Sequence, residues 1–448
     1  MAKLIRGRPL VGVLPDLLRH PAEYCRKAMV ENDSVLLQLN LGAGSFYLAT
    51  KPEHVQYILS DNVDNYWKGR IFNRMRFVFG EGLVLSEGKE WKEQRRLLQP
   101  AFGPRRVRSV VPEICDLLEK RLTKWAEAAS KQQPLNIADE MRFISMRISA
   151  AAMFSKDVSD DLSNTIAESF DIFLKYVPIR FFTFFLPEWI KVPGQRKTER
   201  AMERINAIVA SLAEERRRVP GDQGDLLSLL IAAVDQQVEG ASRVRAETLL
   251  RDHVVTTMFA GYESTATALT WTWCLLSRHP EVAQRVRAEV NDVIGTADPT
   301  PESLSDLHYT QMVIEESLRL YPPFWESFRS SYKDDVIDGT EIPAGSSFLL
   351  CPYATQRDPR SWPNPDVFEP ERFSPERRRS QHRYAYFPFL EGQRVCIGRP
   401  FSLVEMKLVI AMAIRRYHLQ LAPAYVLESK AEGTVRPRHA PWMKISAH

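Results

Sequence analysis

From Ser34 to Leu48 apolar positions alternate with polar ones, at Val35, Leu37, Leu39, Leu41, then Phe46 and Leu48, around Gly42, Ala43 and Gly44. A period of two buries one face of an extended chain, so this stretch predicts a hairpin. From Glu90 to Leu276 the apolar positions recur at helical spacing instead, with breaks at Pro100 to Pro104, Gln132 to Pro134, Pro187 to Gly194 and Pro220 to Gly224. Most of the mass is therefore expected to be helical. Val254 to Leu276 is apolar over nearly the length of a bilayer core, yet Tyr262, Glu263, Ser264 and several threonines interrupt it. An ionisable group in hydrocarbon costs a few kcal/mol, so the segment predicts a long helix buried inside protein.

After Arg319 the pattern turns strand-like at Phe328 to Tyr332, Val336, Ile342 and Phe348 to Cys351, with turn residues Asp338-Gly339 and Pro343-Ala344-Gly345 between. A small sheet is expected there. Six prolines follow from Pro352 to Pro375 among Trp362, Phe368 and Phe373, which fits an ordered meander and neither a helix nor a central strand. No repeat or low-complexity run appears. The reading is mainly α with small β-sheets, a long central helix and a β-rich part drawn from the N-terminal region and residues 328–351.

Composition narrows this picture. A hydrophobic fraction of 44% and a charged fraction of 26% exclude disordered, collagenous and coiled-coil classes. The 448 residues set a prior of roughly three domains. Five cysteines, an odd number without paired spacing, argue for a reducing compartment and leave at least one thiol unpaired. A net charge of +4 is too balanced for a dedicated nucleic-acid binder. Pro15 and Asp16 interrupt the apolar piece Pro9 to Leu18, so a cytoplasmic protein without signal peptide or membrane span is expected.

The strongest chemical signal is Phe389-Leu-Glu-Gly392-Gln-Arg394-Val-Cys396-Ile-Gly398, running into the apolar segment Phe401 to Ile414. A thiol just before a helix meets free backbone N–H groups at the positive end of the helix dipole, which favours the thiolate, a good metal ligand. The glycines let the backbone pass close to a flat, bulky group, and Arg394 can pair with an anion at its rim. A haem supplies both iron and propionates. No histidine cluster suits zinc, and neither a phosphate-binding loop nor a complete dinucleotide loop is present.

The pattern F-x-x-G-x-R-x-C-x-G resembles the signature of the cytochrome P450 family of haem-thiolate monooxygenases, in its soluble bacterial form. The resemblance extends to Glu316-Ser-Leu-Arg319 with Pro370-Glu-Arg372-Phe373, to Trp91-Lys-Glu-Gln-Arg95, and to Ala260-Gly261-Tyr262-Glu263-Ser264-Thr265. It implies one domain over residues 1–448, haem b held by the Cys396 thiolate, and O2 as co-substrate. Trp91, Arg95, Arg329 and Arg394 are then expected at the propionates, and Phe389, Gly398, Ala260 and Gly261 against the macrocycle. Glu316, Arg319 and Arg372 would be structural. Glu263 and Ser264, with Thr265, would relay protons; Ser264 stands where the family usually has threonine, and the lost methyl loosens the rotamer.

The resemblance also implies a hydrophobic substrate such as a fatty acid or terpenoid, in a pocket lined by Ile71, Phe72, Met75, Val78, Phe79, Met258, Phe324, Trp325, Ser327 and Phe328. Lys68, Arg70, Arg74 and Arg76 are candidates for a basic pocket entrance, and Phe181, Phe182, Phe184 and Phe185 for an access lid. The stretch after Cys396 is too short for a fused reductase. Electrons from NAD(P)H are therefore expected through a separate ferredoxin or flavodoxin and its reductase, docking on Arg105, Arg106, Arg108 and Lys407 of a monomer. Desaturation or ring coupling by the same oxidant, or haem binding without turnover, are the alternatives.

Overall fold

The computed structural model describes residues 2–32, 35–42, 44–154, 159–183, 186, 189–218, 225–237 and 243–448. Its centre is the long helix Arg243–Arg278, of 36 residues. Val254, Val255, Met258, Phe259 and Tyr262 belong to one large apolar core, and Ala266, Leu269, Trp271 and Leu275 to a second. A helix apolar on every side is stable only when protein surrounds it, which explains its membrane-like composition. Two of its hydroxyls are satisfied by the helix itself: Thr270 Oγ1 donates to the Ala266 carbonyl at 2.7 Å and Thr272 Oγ1 to that of Ala268 at 2.8 Å. No helix among the described residues is long and apolar enough to cross a membrane.

Helix Ile137–Phe154 packs along the long helix, and Arg399–Ile414 crosses its second half. The strands are β1 (Lys3–Ile5), β2 (Leu37–Asn40), β3 (Ser45–Ala49), β4 (Tyr66–Trp67), β5 (Leu135–Asn136), β6 (Ser327–Ser331), β7 (Asp335–Ile337), β8 (Thr340–Ile342), β9 (Ser347–Leu350), β10 (Tyr417–Leu421), β11 (Ser429–Ala431), β12 (Val435–Pro437) and β13 (Trp442–Ala447). The predicted hairpin is β2–β3, in register Leu37 to Leu48. The expected small sheet at 328–351 is instead divided. β9 and β6 join the N-terminal strands in one six-stranded sheet of order β1-β2-β3-β9-β6-β4, whereas β7 and β8 form a separate hairpin. That hairpin turns on Asp338 and Gly339, both at positive φ (49° and 69°), as a two-residue type I′ turn requires. The sheet β10-β13-β5 and the hairpin β11–β12 were not anticipated, because their strands pair across hundreds of residues or are only three residues long.

Candidate functional site

The Cys396 loop is fixed from both sides. The Cys396 amide donates to the Phe389 carbonyl at 2.9 Å. Gly392 sits at φ 72°, and a Cβ there would come within 2.2 Å of the Leu59 carbonyl oxygen, so only glycine fits. Cys396 keeps accessible surface, yet burial raises its pKa; the sulfur therefore borders an internal space. The Gly398 and Arg399 amides and the Arg95 and Arg399 guanidiniums pull that pKa down, as a helix N-terminus should, but burial outweighs them. The thiolate preference expected from the helix dipole alone is thus overridden until a cation is bound. The other four cysteines are buried and free.

The long helix opens onto internal space at one place. Ala260 is exposed and Thr257, Gly261 and Ser264 are half-buried, among neighbours that are fully buried. Spacings of three and four put these four on one stripe. Ser264 Oγ donates to the Ala260 carbonyl at 2.6 Å. Thr265 is buried. Glu263 differs from the free acid expected: it is fully buried, and its carboxylate accepts from Thr434 Oγ1 at 2.7 Å, Thr267 Oγ1 at 3.1 Å and Arg436 Nε at 2.9 Å. Arg436 also pairs with Asp171 at 2.9 Å, which pairs with Arg142 at 2.9 Å. Glu263 thereby ties the β11–β12 region to three helices.

A second group of side chains is cationic. Arg329 is 3% exposed; its Nη1 donates to the Phe328 carbonyl at 2.7 Å and to Ser327 Oγ at 2.9 Å, while Nη2 has no partner. Burial first, and then Arg394, push its pKa down to about 10. The Arg394 guanidinium lies 4.0 Å from the Trp91 ring centre, pairs with Glu87 and donates to the Ser86 carbonyl at 3.0 Å. Arg95 Nη1 donates to the Val395 carbonyl at 2.9 Å. Lys68, a candidate from sequence for a basic pocket entrance, is in this group: burial, Arg394 and Arg329 all depress its pKa. Gly69 explains the placement, since at φ 75° a Cβ would collide with Ser330 Oγ of β6 at 2.1 Å.

Lys68, Arg329 and Arg394 thus share the single carboxylate of Glu87, with one guanidinium nitrogen orphaned in the interior. Two further carboxylates on a flat ligand would complete this donor set, and an accessible cysteine would meet its metal, so the residues fit a haem. Arg329→Ala should weaken haem retention about 10- to 100-fold, the worth of about 1.5–3 kcal/mol for a charged hydrogen bond. Haem transfer to apomyoglobin measures it. The haem-free protein should melt no lower, because the substitution also removes repulsion between buried cations.

The E-x-x-R motif closes into a buried lock. Arg319 Nε and Nη2 bind the Glu316 carboxylate at 2.6 and 2.8 Å, and its nitrogens donate to the carbonyls of Gln356 and Pro365 at 2.8 Å and Val367 at 3.2 Å. Arg372 Nε lies 3.4 Å from Glu316, and the Glu369 amide donates to it at 2.9 Å. The meander is held here.

Of the expected pocket lining, Phe72 and Phe324 are partly buried, whereas Met75, Val78, Phe79, Met258, Trp325 and Phe328 are buried in the first core. Ser327 is buried and faces Arg329. Glu326 has one oxygen without a partner, and burial followed by Cys351 raises its pKa. Lys407 corrects the proposed docking face: it is 8% exposed and donates to the Leu304 carbonyl at 2.9 Å, because the helix that carries it is buried all round. Arg105 and Arg108 are exposed, Arg106 is half-buried and Arg76 pairs with Glu81. Arg74 Nη2 donates to the Leu186 carbonyl at 2.8 Å. Phe184 and Phe185, and the side chains of Phe181, Phe182, Arg70 and Ile71, lie outside the described residues.

The sequence model of one family, Cytochrome P450, matches residues 4–440. Cyclooctat-9-en-7-ol 5-monooxygenase of Streptomyces melanosporofaciens is 33% identical over 94% of this chain and 89% of its own length. Pentalenene oxygenase of Streptomyces avermitilis is 28% identical, over 95% and 93%. Among solved structures, the haem domain of cytochrome P450DA superposes with a TM-score of 0.88 at 26% identity, covering 100% of this chain and 98% of that one.

Proposed function

The chain belongs to the cytochrome P450 family and is a monooxygenase of a hydrophobic small molecule, and from that premise we propose that its substrate is a cyclic terpenoid. The relatives named for cyclooctat-9-en-7-ol and pentalenene support this substrate class. The observation that carries the site is the stripe Thr257, Ala260, Gly261 and Ser264, accessible in the middle of a buried helix, together with an accessible Cys396. Phe72 and Phe324 would offer apolar surface to a hydrocarbon skeleton.

In this reading residues 1–448 form one domain around one site. Cys396 would hold the iron of haem b, and Lys68, Trp91, Arg95, Arg329 and Arg394 its propionates. Haem supplies O2 binding and the oxidising power of the reaction. Ala260 and Gly261, with little or no side chain, would leave room for the haem and its ligand at this stripe. The Ser264 hydroxyl holds a proton on the same stripe, while Glu263, committed to Arg436 and Thr434, keeps that turn of helix in place.

Electrons would reach the monomeric enzyme in the cytoplasm from NAD(P)H through a ferredoxin and its reductase. A groove of about 590 Å³ lined by Trp91, Lys92, Arg95, Arg96, Gln99, Pro100, Gly103 and Pro104 presents exposed Lys92 and Arg96, with Arg105 beyond it. Turnover with an acidic ferredoxin should fall as salt rises; a flat response would remove the electrostatic docking. For the substrate, pentalenene titrated into the enzyme should shift the haem to high spin and be recovered with one added oxygen atom. Tighter binding of long-chain fatty acids than of any cyclic terpenoid would sink the assignment.

A further inference from the structure

Between helix His308–Leu320 and β6, accessible and buried side chains alternate. Phe324 and Glu326 are half-buried, whereas Trp325 and Ser327 are 2% and 4% exposed. A period of two puts Phe324, Glu326 and Phe328 on one side of the chain and Trp325, Ser327 and Arg329 on the other. The second side is accounted for: Trp325 Nε1 donates to the Glu432 carbonyl at 3.1 Å, and Ser327 Oγ accepts from Arg329 Nη1 at 2.9 Å. On the first side the Phe328 ring stands 6.4 Å from that of Phe72 and 6.3 Å from that of Phe46. Glu326 therefore sits between two phenylalanines, on the side that meets Phe72.

Glu326 keeps accessible surface, yet burial holds its carboxyl pKa well above the usual carboxylate range; Cys351 adds to the rise, and the amides of Glu326 and Trp325 oppose it. The surface it keeps is thus internal, as for Cys396, and the uncharged carboxyl is favoured there. Its Oε2 has no hydrogen-bond partner, and among the described residues no lysine, arginine or histidine pairs with it. Its neighbours Cys351 and Cys25 are buried thiols. An unsatisfied buried oxygen costs stability, so a partner is expected from outside the chain. An ordered water takes about two to four polar partners, whereas this place offers one carboxyl among phenyl rings. A hydrocarbon body carrying one hydroxyl fits both.

We propose that Glu326 is a specificity-determining residue whose carboxyl exchanges hydrogen bonds with a hydroxyl already present on the substrate, which makes that substrate a cyclic terpenoid alcohol. The proposal rests on the terpenoid reading and narrows it. An uncharged carboxyl donates through O–H and accepts through C=O, and an alcohol does both in return. The reaction that supplies this substrate must then leave a hydroxyl on the ring system, by capture of water at the end of a cyclisation or by an earlier hydroxylation.

The test uses the haem-loaded enzyme and two matched pairs, cyclododecanol with cyclododecane and cedrol with cedrane, each differing by one hydroxyl. The spin-state shift gives each Kd. The ratio of hydrocarbon Kd to alcohol Kd should fall about tenfold in Glu326→Leu, the worth of one hydrogen bond, and stay near its original value in Glu326→Gln, which keeps an uncharged donor and acceptor. Glu326→Leu should melt no lower than the unsubstituted enzyme, because it removes a buried oxygen without a partner. The infrared C=O stretch of the protonated carboxyl that disappears in Glu326→Gln should, in the unsubstituted enzyme, shift when an alcohol binds and not when its hydrocarbon does. That result decides the matter should Glu326→Leu not fold. A ratio unmoved by Glu326→Leu in both pairs, binding of none of the four compounds, no carboxyl band lost in Glu326→Gln, or a band indifferent to a bound alcohol overturns the assignment. The effect in the cyclododecane pair alone keeps Glu326 as the hydroxyl site and counts against the terpenoid class, whereas the effect in the cedrane pair supports both.

Discussion

Glu316→Ala is expected to cost about 3–5 kcal/mol of folding stability, the range for removing one partner of a buried ion pair. Against a total of about 5–15 kcal/mol for a folded protein, that is a large fraction of the stability. The direction follows from what is left behind. Arg319 is 0% exposed and would stay buried without a counter-charge, Arg372 at 5% would keep only Glu369 at 3.1 Å, and the Glu369 amide would lose its acceptor. The pair is not a large net stabiliser in itself. Burial raises the Glu316 pKa even with Arg319 and Arg372 opposing it, which means that desolvation consumes more than the attraction returns. Mutation is costly because the partners are stranded. Arg319→Lys should fail for a related reason, since one ammonium cannot replace a fork that binds two carboxylate oxygens and three carbonyls. Urea unfolding measures both, and a loss below about 1 kcal/mol would place the pair in the class of surface ion pairs.

The same lock shows where sequence is informative. Glu316, Arg319 and Arg372 are legible because two of them lie one helical turn apart and the third in a short, distinctive segment. The carbonyls of Gln356, Pro365 and Val367 that fill the rest of Arg319 have no side-chain signal, since any residue supplies a carbonyl. Glu263 was legible as an acid within a buried helix and was read as a proton relay; its partner Arg436 lies 173 positions away on a three-residue strand with no period to reveal it. Lys407 read as surface because lysine usually is. The sign that corrects it is Glu405 two residues earlier: two ionisable residues inside a helix whose residues 405–414 are all buried are both forced inside. Lys68 was grouped with Arg70, Arg74 and Arg76 at a pocket entrance because the four lie close in sequence, and only the close approach of β6 at Gly69 puts it beside Arg329 and Arg394. In each case local pattern fixed the residue and long-range pairing fixed what it does.

Cys396→Ser separates what holds the haem from what gives it its reactivity. The substitution changes one atom, at a side chain with accessible surface in a loop fixed by Gly392 and by the Phe389 carbonyl, so folding stability should change by no more than about 1 kcal/mol. The cationic set of Lys68, Arg329 and Arg394 is untouched, and haem should still bind through its propionates. What changes is the axial donor. Sulfur needs only the opposing pull of the Gly398 and Arg399 amides and the Arg95 and Arg399 guanidiniums, plus a metal cation, to give up its proton despite burial. A serine hydroxyl starts from a far higher pKa and in the same surroundings stays neutral, so it cannot donate the electron density that favours O–O cleavage. Under CO the reduced Cys396→Ser protein should lose the red-shifted Soret band of thiolate ligation, and oxygenated product should fall to background. Arg329→Ala predicts the opposite pair of outcomes, the thiolate band kept in whatever haem remains and the haem itself lost faster. If Cys396→Ser kept the band, the ligand would have to be another residue, and since Cys25, Cys115, Cys274 and Cys351 are all buried, no other described cysteine could take its place without refolding the core.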